Sequence, residues 1–252
     1  MHRIDRPHEP SAFAKYRGKH PESRDWDAFG SVRLSCLDPA VENKMNTLKE
    51  HVIDILAENQ KGLCAYCEMK LPDNGDRRIE HFHPKSDMST EHNWMLDWQN
   101  LLAVCHGGKS NKVWATIPAE LHCDANKGDS RDPILNPYSM PKECLFVLNR
   151  STGELKANEE ACKHDEVCDN PLSSTEELVE QTIRVLNLNC RVLCDLRKSL
   201  CQAYKRIYQK EQKTATGSVR DIIARKWFGG GKIMELYTTR RCLLGCKVDQ
   251  YL

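Results

Sequence analysis

Cys64-Ala-Tyr-Cys67 is the feature that most restricts what this chain can fold into. Two thiols with two residues between them can both face one tetrahedral metal ion, because the intervening turn folds back on itself. Cys105 and Cys123 supply a second pair, separated by seventeen residues. The expected site is therefore a four-cysteine structural zinc whose second half is an interrupted knuckle with its insertion looped out. His106 and His122 stand as substitute ligands if one of these cysteines is an ordinary buried thiol. The chain carries 13 cysteines in 252 residues, an odd number that in a reducing compartment fits metal ligands and buried thiols better than a disulfide framework.

Between the two pairs lies Ile79-Glu-His-Phe-His-Pro-Lys85, a carboxylate beside an imidazole at the end of a short apolar stretch, followed by a proline that forces a turn. Neighbouring side chains leave a strand on opposite faces, but where the strand end bends, Glu80 can bind a divalent cation while His81 faces the water. Asn100 precedes the apolar run Leu101–Val104, a position from which its amide can hold the turn carrying His81. Asp124, beside the last zinc cysteine, opens a short helix that aims a second carboxylate at the same cation, with Asn126 the alternative ligand.

Around this segment the chain reads as a mixed α+β protein, mainly helical. Residues 1–40, rich in proline, histidine and arginine, suit an extended arm. A helix from about Pro39 to Lys61 is indicated by Val41, Met45, Leu48, Val52, Ile55 and Leu56 at three- and four-residue steps, with Gly62 stopping it. Residues 41–135 then comprise this helix and the metal-organised core, and 136–252 a small strand pair followed by helices. The strand pair is expected at Leu145–Leu148 with a turn at Ser151-Thr-Gly-Glu154, and a capping box at Ser173–Glu176 opens the helical part. A second apolar stripe, Leu193, Leu196, Leu200, Tyr204 and Ile207, has Arg191, Arg197, Lys198, Lys205 and Arg206 as its solvated face. Gly229-Gly-Gly231-Lys232 lacks the serine or threonine of a phosphate loop and reads as a turn. Cys162 and Cys168 could be half of another zinc site whose partners would have to be Cys242 and Cys246, far along the chain, and read rather as buried or surface thiols, while Cys190, Cys194 and Cys201 read as packing on one helical face.

Lys plus Arg number 37 against 36 Asp plus Glu, so no global basic field attracts nucleic acid and any electropositive surface is local. The first residues lack the apolar stretch of a signal peptide, and eighteen apolar residues nowhere run together, which leaves the cytoplasm as the expected location and no membrane partner.

Cys-x-x-Cys, Glu-His-x-x-Pro, Asn-Leu and Cys-Asx-x-x-Lys-Gly, over roughly residues 60 to 130, resemble the HNH endonuclease superfamily. The flanking blocks Gln60–Glu68, Ile79–Ser86, Asp97–Leu101 and Ile183–Asn189 resemble the nuclease subunit of Septu-type anti-phage systems, members of which also serve as accessory effectors of retrons. The resemblance implies a ββα-metal finger with His81 as general base and Glu80 and Asp124 as ligands of Mg²⁺ or another divalent cation. It further implies a nucleic-acid substrate, DNA or RNA, an ATPase subunit as partner, and a retron reverse transcriptase with its msDNA as another. Lys127 and Lys85 are placed to neutralise phosphate charge, and His83 to reach the phosphate. Two departures stand out: the family usually has Asp where this chain has Glu80, and Asn or His where it has Asp124. The competing reading is a non-catalytic zinc-finger-like adaptor for nucleic acid or protein. Glu80 and His81 separate the two, since a purely structural finger has no use for an acid–base pair.

Overall fold

The computed structural model describes residues 1–37, 47–72, 77–109, 120–168 and 170–251, leaving aside the side chains of Cys246 and Asp249. The expected helix start at Pro39, Val41 and Met45, and the middle of the insertion between Gly107 and His122, lie outside the described residues. The fold is mainly helical with two small antiparallel strand pairs.

The residues expected to form an extended arm instead carry two packed helices, α1 (Ser11–Lys19) and α2 (Trp26–Ser31). Asp25 caps α2 by accepting the Asp27 and Ala28 amides. Phe13 and Phe29 are fully buried, and Tyr16 and Trp98 close around them. A few large aromatics at helical spacing bury enough apolar area to order a segment whose prolines and charges outnumber them. Helix α3 (Leu48–Asn59) begins with a reciprocal capping box between Thr47 and Glu50 and puts Leu48, Val52, Ile53 and Leu56 into the core.

Strand β1 (Arg77–His81) pairs antiparallel with β2 (Leu101–Cys105), Arg77 opposite Cys105 and His81 opposite Leu101. Leu101 to Val104 are fully buried and pack on α3. The outer edge of β2 is closed by a side chain: the buried Gln60 amide donates to the Ala103 carbonyl at 2.7 Å and accepts the Ala103 amide at 2.8 Å, standing in for a third strand. Helix α4 (Asp124–Lys127) follows the insertion and is a single turn.

Beyond it, β3 (Phe146–Leu148) and β4 (Leu155–Ala157) form the second hairpin. Its turn requires Gly153, whose φ is +79° and whose missing Cβ would stand 2.2 Å from the Cys194 carbonyl oxygen. Helices α5 (Glu159–His164), α6 (Thr175–Val185) and α7 (Arg191–Gln212) follow, with Ser174 the α6 cap and Asn187, at φ +46°, turning the chain into α7. Helices α8 (Val219–Phe228) and α9 (Tyr237–Leu244) follow, and a 3-10 helix over Gly245–Tyr251 comes after them. The main core runs from Met1 to Leu193, and a smaller one gathers Tyr204, Ile223, Trp227, Phe228 and Leu243. On α7 the inward face includes Arg197, which is buried and donates to the Gly153 carbonyl at 3.2 Å, whereas Leu196 is partly exposed. Arg191, Lys198, Lys205 and Arg206 keep to the solvated side as read from the sequence; Leu196 and Arg197 alone exchange places, because Arg197 stands four residues after the buried Leu193.

Candidate active site

The four cysteines Cys64, Cys67, Cys105 and Cys123 converge, all sulfurs lying within 4.8 Å of one another. Cys64 to Cys123 is 3.9 Å and Cys67 to Cys105 is 3.7 Å. Sulfurs about 2.3 Å from a tetrahedral zinc are roughly 3.8 Å apart, so the donor set fits such an ion without rearrangement. Its protonation chemistry asks for one as well: Cys105 is held low by its sulfur neighbours while Cys67 and Cys123 are pushed up. Four buried sulfurs cannot all ionise without a cation among them.

The first pair sits on a tight turn in which the Glu68 amide donates to the Cys64 carbonyl and Glu68 takes φ +61°. The second pair is brought together by the stem of the insertion, where the His122 amide donates to the Gly107 carbonyl at 3.1 Å. A Cβ on Gly107 would meet the His122 carbonyl oxygen at 1.9 Å, so only glycine lets the two ends approach. Cys105 and Cys123 therefore face each other as if no insertion separated them. Neither histidine is needed as a fifth donor: His106 accepts from the Arg78 guanidinium at 3.0 Å, and His122 Nδ1 donates to the Glu120 carbonyl at 3.2 Å.

Beside this cluster, an open cleft of about 800 Å³ is walled by β1, α3, α4 and Trp26 of α2. Glu80, His81 and Asp124 all line it. The Tyr66 hydroxyl donates to Glu80 Oε1 at 3.1 Å and the Lys127 ammonium lies 2.8 Å from the same oxygen, so Oε2 is free of both. Burial pushes the Glu80 carboxyl up to about 7, Lys127 works against this, and the facing Asp124 carboxylate raises it again. Two facing carboxylates, one of them buried, offer oxygens to a divalent cation, and this donor set fits a hard oxygen-seeking ion. Arg78 holds Asp124 through its Oδ2 at 3.1 Å. Asn126 points elsewhere, donating to the Val185 carbonyl at 3.0 Å.

His81, the last residue of β1, is buried, and burial foremost, with Lys85 second, lowers its pKa to about 3. The ring is neutral near pH 7. Its Nε2 lies 3.3 Å from the Met95 carbonyl, which can only accept, so Nε2 carries the hydrogen and Nδ1 keeps the lone pair. Trp26 packs edge-on against the ring at 4.6 Å and is itself stacked on Phe29. Asn100 braces the turn after His81: its Oδ1 accepts the His83 amide at 2.7 Å, and its Nδ2 donates to the His83 and Trp94 carbonyls at 2.8 and 2.9 Å. Replacing Asn100 by Ala leaves those buried groups unpaired at about 1–3 kcal/mol each. A loss of about 3 kcal/mol in urea unfolding is expected, with cleavage falling in parallel.

Two residues stand differently from their sequence reading. Lys127 is buried beneath Glu80 and also donates to the His81 carbonyl at 3.2 Å, which leaves it no reach to a phosphate in the cleft. His83 pairs with Asp87 at 2.6 Å and packs on Trp94 at 4.0 Å, outside the cleft wall. Three participants carried no signal as site residues: Trp26, far upstream; Arg78, two residues before Glu80; and Tyr66, hidden between Cys64 and Cys67.

A buried neutral histidine beside two carboxylates and a four-thiol knuckle is the equipment of a metal-assisted hydrolase. No family model matches the chain. It is, however, 32% identical over 215 residues, 79% of its own length and 79% of the other's, to the Escherichia coli protein named "Retron Ec83 putative HNH endonuclease". The chain belongs to the HNH endonucleases and is an enzyme, a nuclease.

Proposed function

We propose that the chain folds its core as a ββα-metal finger, β1, β2 and α4, organised by a structural zinc on Cys64, Cys67, Cys105 and Cys123, and hydrolyses nucleic-acid phosphodiesters with one Mg²⁺-type cation on Glu80 and Asp124. The observation that carries this reading is the neutral His81, pinned through Nε2, in the same cleft as the two facing carboxylates. A cation bound there acts as a Lewis acid on the scissile phosphate and the leaving oxygen. His81 Nδ1 takes the proton of the attacking water, and the Met95 carbonyl steadies the resulting imidazolium through Nε2–H. Tyr66 and Lys127 fix Glu80, and Arg78 fixes Asp124. Lys49, Lys85 and Lys109 on the cleft wall, standing among Glu50, Asp54 and Asp129, are the cations placed to meet a sugar–phosphate backbone. The adaptor reading has no use for this cleft.

We further propose that the chain is the nuclease effector of an anti-phage system, acting in the cytoplasm with an ATPase subunit and, in a retron, with the reverse transcriptase and its msDNA; the relative's name supports the retron association alone. No described helix is long and apolar enough to cross a membrane. Copurification from cells carrying the neighbouring genes, with cleavage assayed before and after phage challenge, tests this. The chain is expected to elute with the ATPase and to cut on challenge; strong, unregulated cleavage by the isolated chain contradicts the restraint.

A further inference from the structure

Cys144 and Cys242 belong to neither knuckle, yet they meet. Cys144 lies two residues before β3 and Cys242 lies in α9; their sulfurs are 3.9 Å apart across 98 positions of sequence. Both thiols point at one acceptor, the Phe146 carbonyl, at 3.4 and 3.2 Å. Among the described residues no third sulfur, imidazole or carboxylate completes a metal site with them. Both are half-buried, and they border a cavity of about 420 Å³ together with Arg241 and Asn158. The sequence offers Cys242 only a zinc site shared with Cys162, Cys168 and Cys246; the fold sets it against Cys144.

We propose that Cys144 and Cys242 form a reversible dithiol–disulfide site responsive to hydroperoxides. When Cys144 ionises it no longer donates to the Phe146 carbonyl, and the Cys242 S–H turns from that carbonyl to the Cys144 sulfur 3.9 Å away; this hydrogen bond holds the Cys144 thiol down at about 6 against its burial, and the Arg241 guanidinium adds to this. Ordinary thiols are only a few per cent thiolate at neutral pH, whereas an ionised, half-exposed cysteine beside a cation is the reactive kind. The Cys144 thiolate attacks the peroxide, breaking its O–O bond: the sulfur is oxidised to sulfenic acid and hydroxide leaves. The Cys242 sulfur then attacks that sulfur, expels the hydroxyl as water with its own proton, and forms the S–S bond. The sulfurs must close from 3.9 Å to about 2.05 Å, within reach of side-chain rotation in two half-exposed residues.

The bond ties the approach to β3 to α9, the helix whose Thr238 amide and hydroxyl both donate to Glu68 at 2.8 Å. Glu68 directly follows the zinc cysteine Cys67, so the lock sits on the element that braces the first knuckle.

The test treats the zinc-loaded full chain with stoichiometric hydrogen peroxide and maps its cysteines by mass spectrometry, with zinc content followed alongside. A Cys144–Cys242 linked peptide is expected in the wild type, formed before zinc is lost and reversed by dithiothreitol. In Cys242→Ser, which keeps a donor beside Cys144, dimedone is expected to trap a sulfenic acid at Cys144 on the order of tenfold above Cys36 and Cys168, two exposed cysteines that serve as internal references. Linkage of Cys144 to another cysteine, zinc loss preceding the linkage, or labelling of Cys36 and Cys168 as readily as Cys144 overturns the proposal. The wild-type mapping decides the matter even if a variant folds poorly.

Discussion

Replacing His81 by Ala is expected to lower cleavage by about 10²–10⁴-fold, the usual contribution of a positioned general base, while the protein keeps its fold and its zinc. The imidazole is buried and neutral, with a protein hydrogen bond from Nε2 to the Met95 carbonyl and Nδ1 left with the lone pair. Its removal leaves a cavity against Trp26 and one unmet carbonyl, a cost of a few kcal/mol, which a chain with a main core extending from Met1 to Leu193 can absorb. The measurement is single-turnover cleavage with saturating Mg²⁺, paired with circular dichroism and elemental analysis. A variant that cuts within a few fold of the wild type removes His81 from the role of base.

Cys64→Ser or Cys67→Ser is expected to act on a different level, taking zinc and fold together. Structural zinc contributes about 10–16 kcal/mol in small finger peptides, and the quartet joins the Leu63–Lys70 turn, the end of β2 and the start of α4. These segments position Glu80 and Asp124, so activity disappears because the cleft is no longer built. Elemental analysis is expected to fall from one zinc per chain to near none, with a broad, low-temperature unfolding transition. A Cys67→Ser protein that still melts cooperatively at the wild-type temperature contradicts the zinc's structural role.

The parts of this molecule legible in its sequence are those fixed by short-range geometry. Cysteines two residues apart must share a turn, and Glu80 and His81 are neighbours at the end of one strand. Even the seventeen-residue interruption between Cys105 and Cys123 was readable, because a closed insertion stem needs little more than Gly107. Asn100 could be read as a brace because it stands just before the buried strand that pairs with β1. What escaped depends on tertiary packing. The first forty residues look polar by composition, yet Phe13, Tyr16 and Phe29 order them and carry Trp26 to His81. Lys127 resembles any phosphate-binding lysine until Glu80 is seen 2.8 Å away. Arg197 looks solvated until the fold buries it on the side of Leu193. The meeting of Cys144 with Cys242 across 98 positions has no local signature at all.

The central claim is that Glu80 and Asp124 hold a single divalent cation beside His81. Electron paramagnetic resonance titration of the zinc-loaded chain with Mn²⁺ tests it without relying on turnover. One Mn²⁺ per chain is expected to bind in the wild type and in His81→Ala, and none in the Glu80→Gln, Asp124→Asn double variant with its zinc intact. A wild-type chain that leaves Mn²⁺ free, or a double variant that binds it as tightly, contradicts the account.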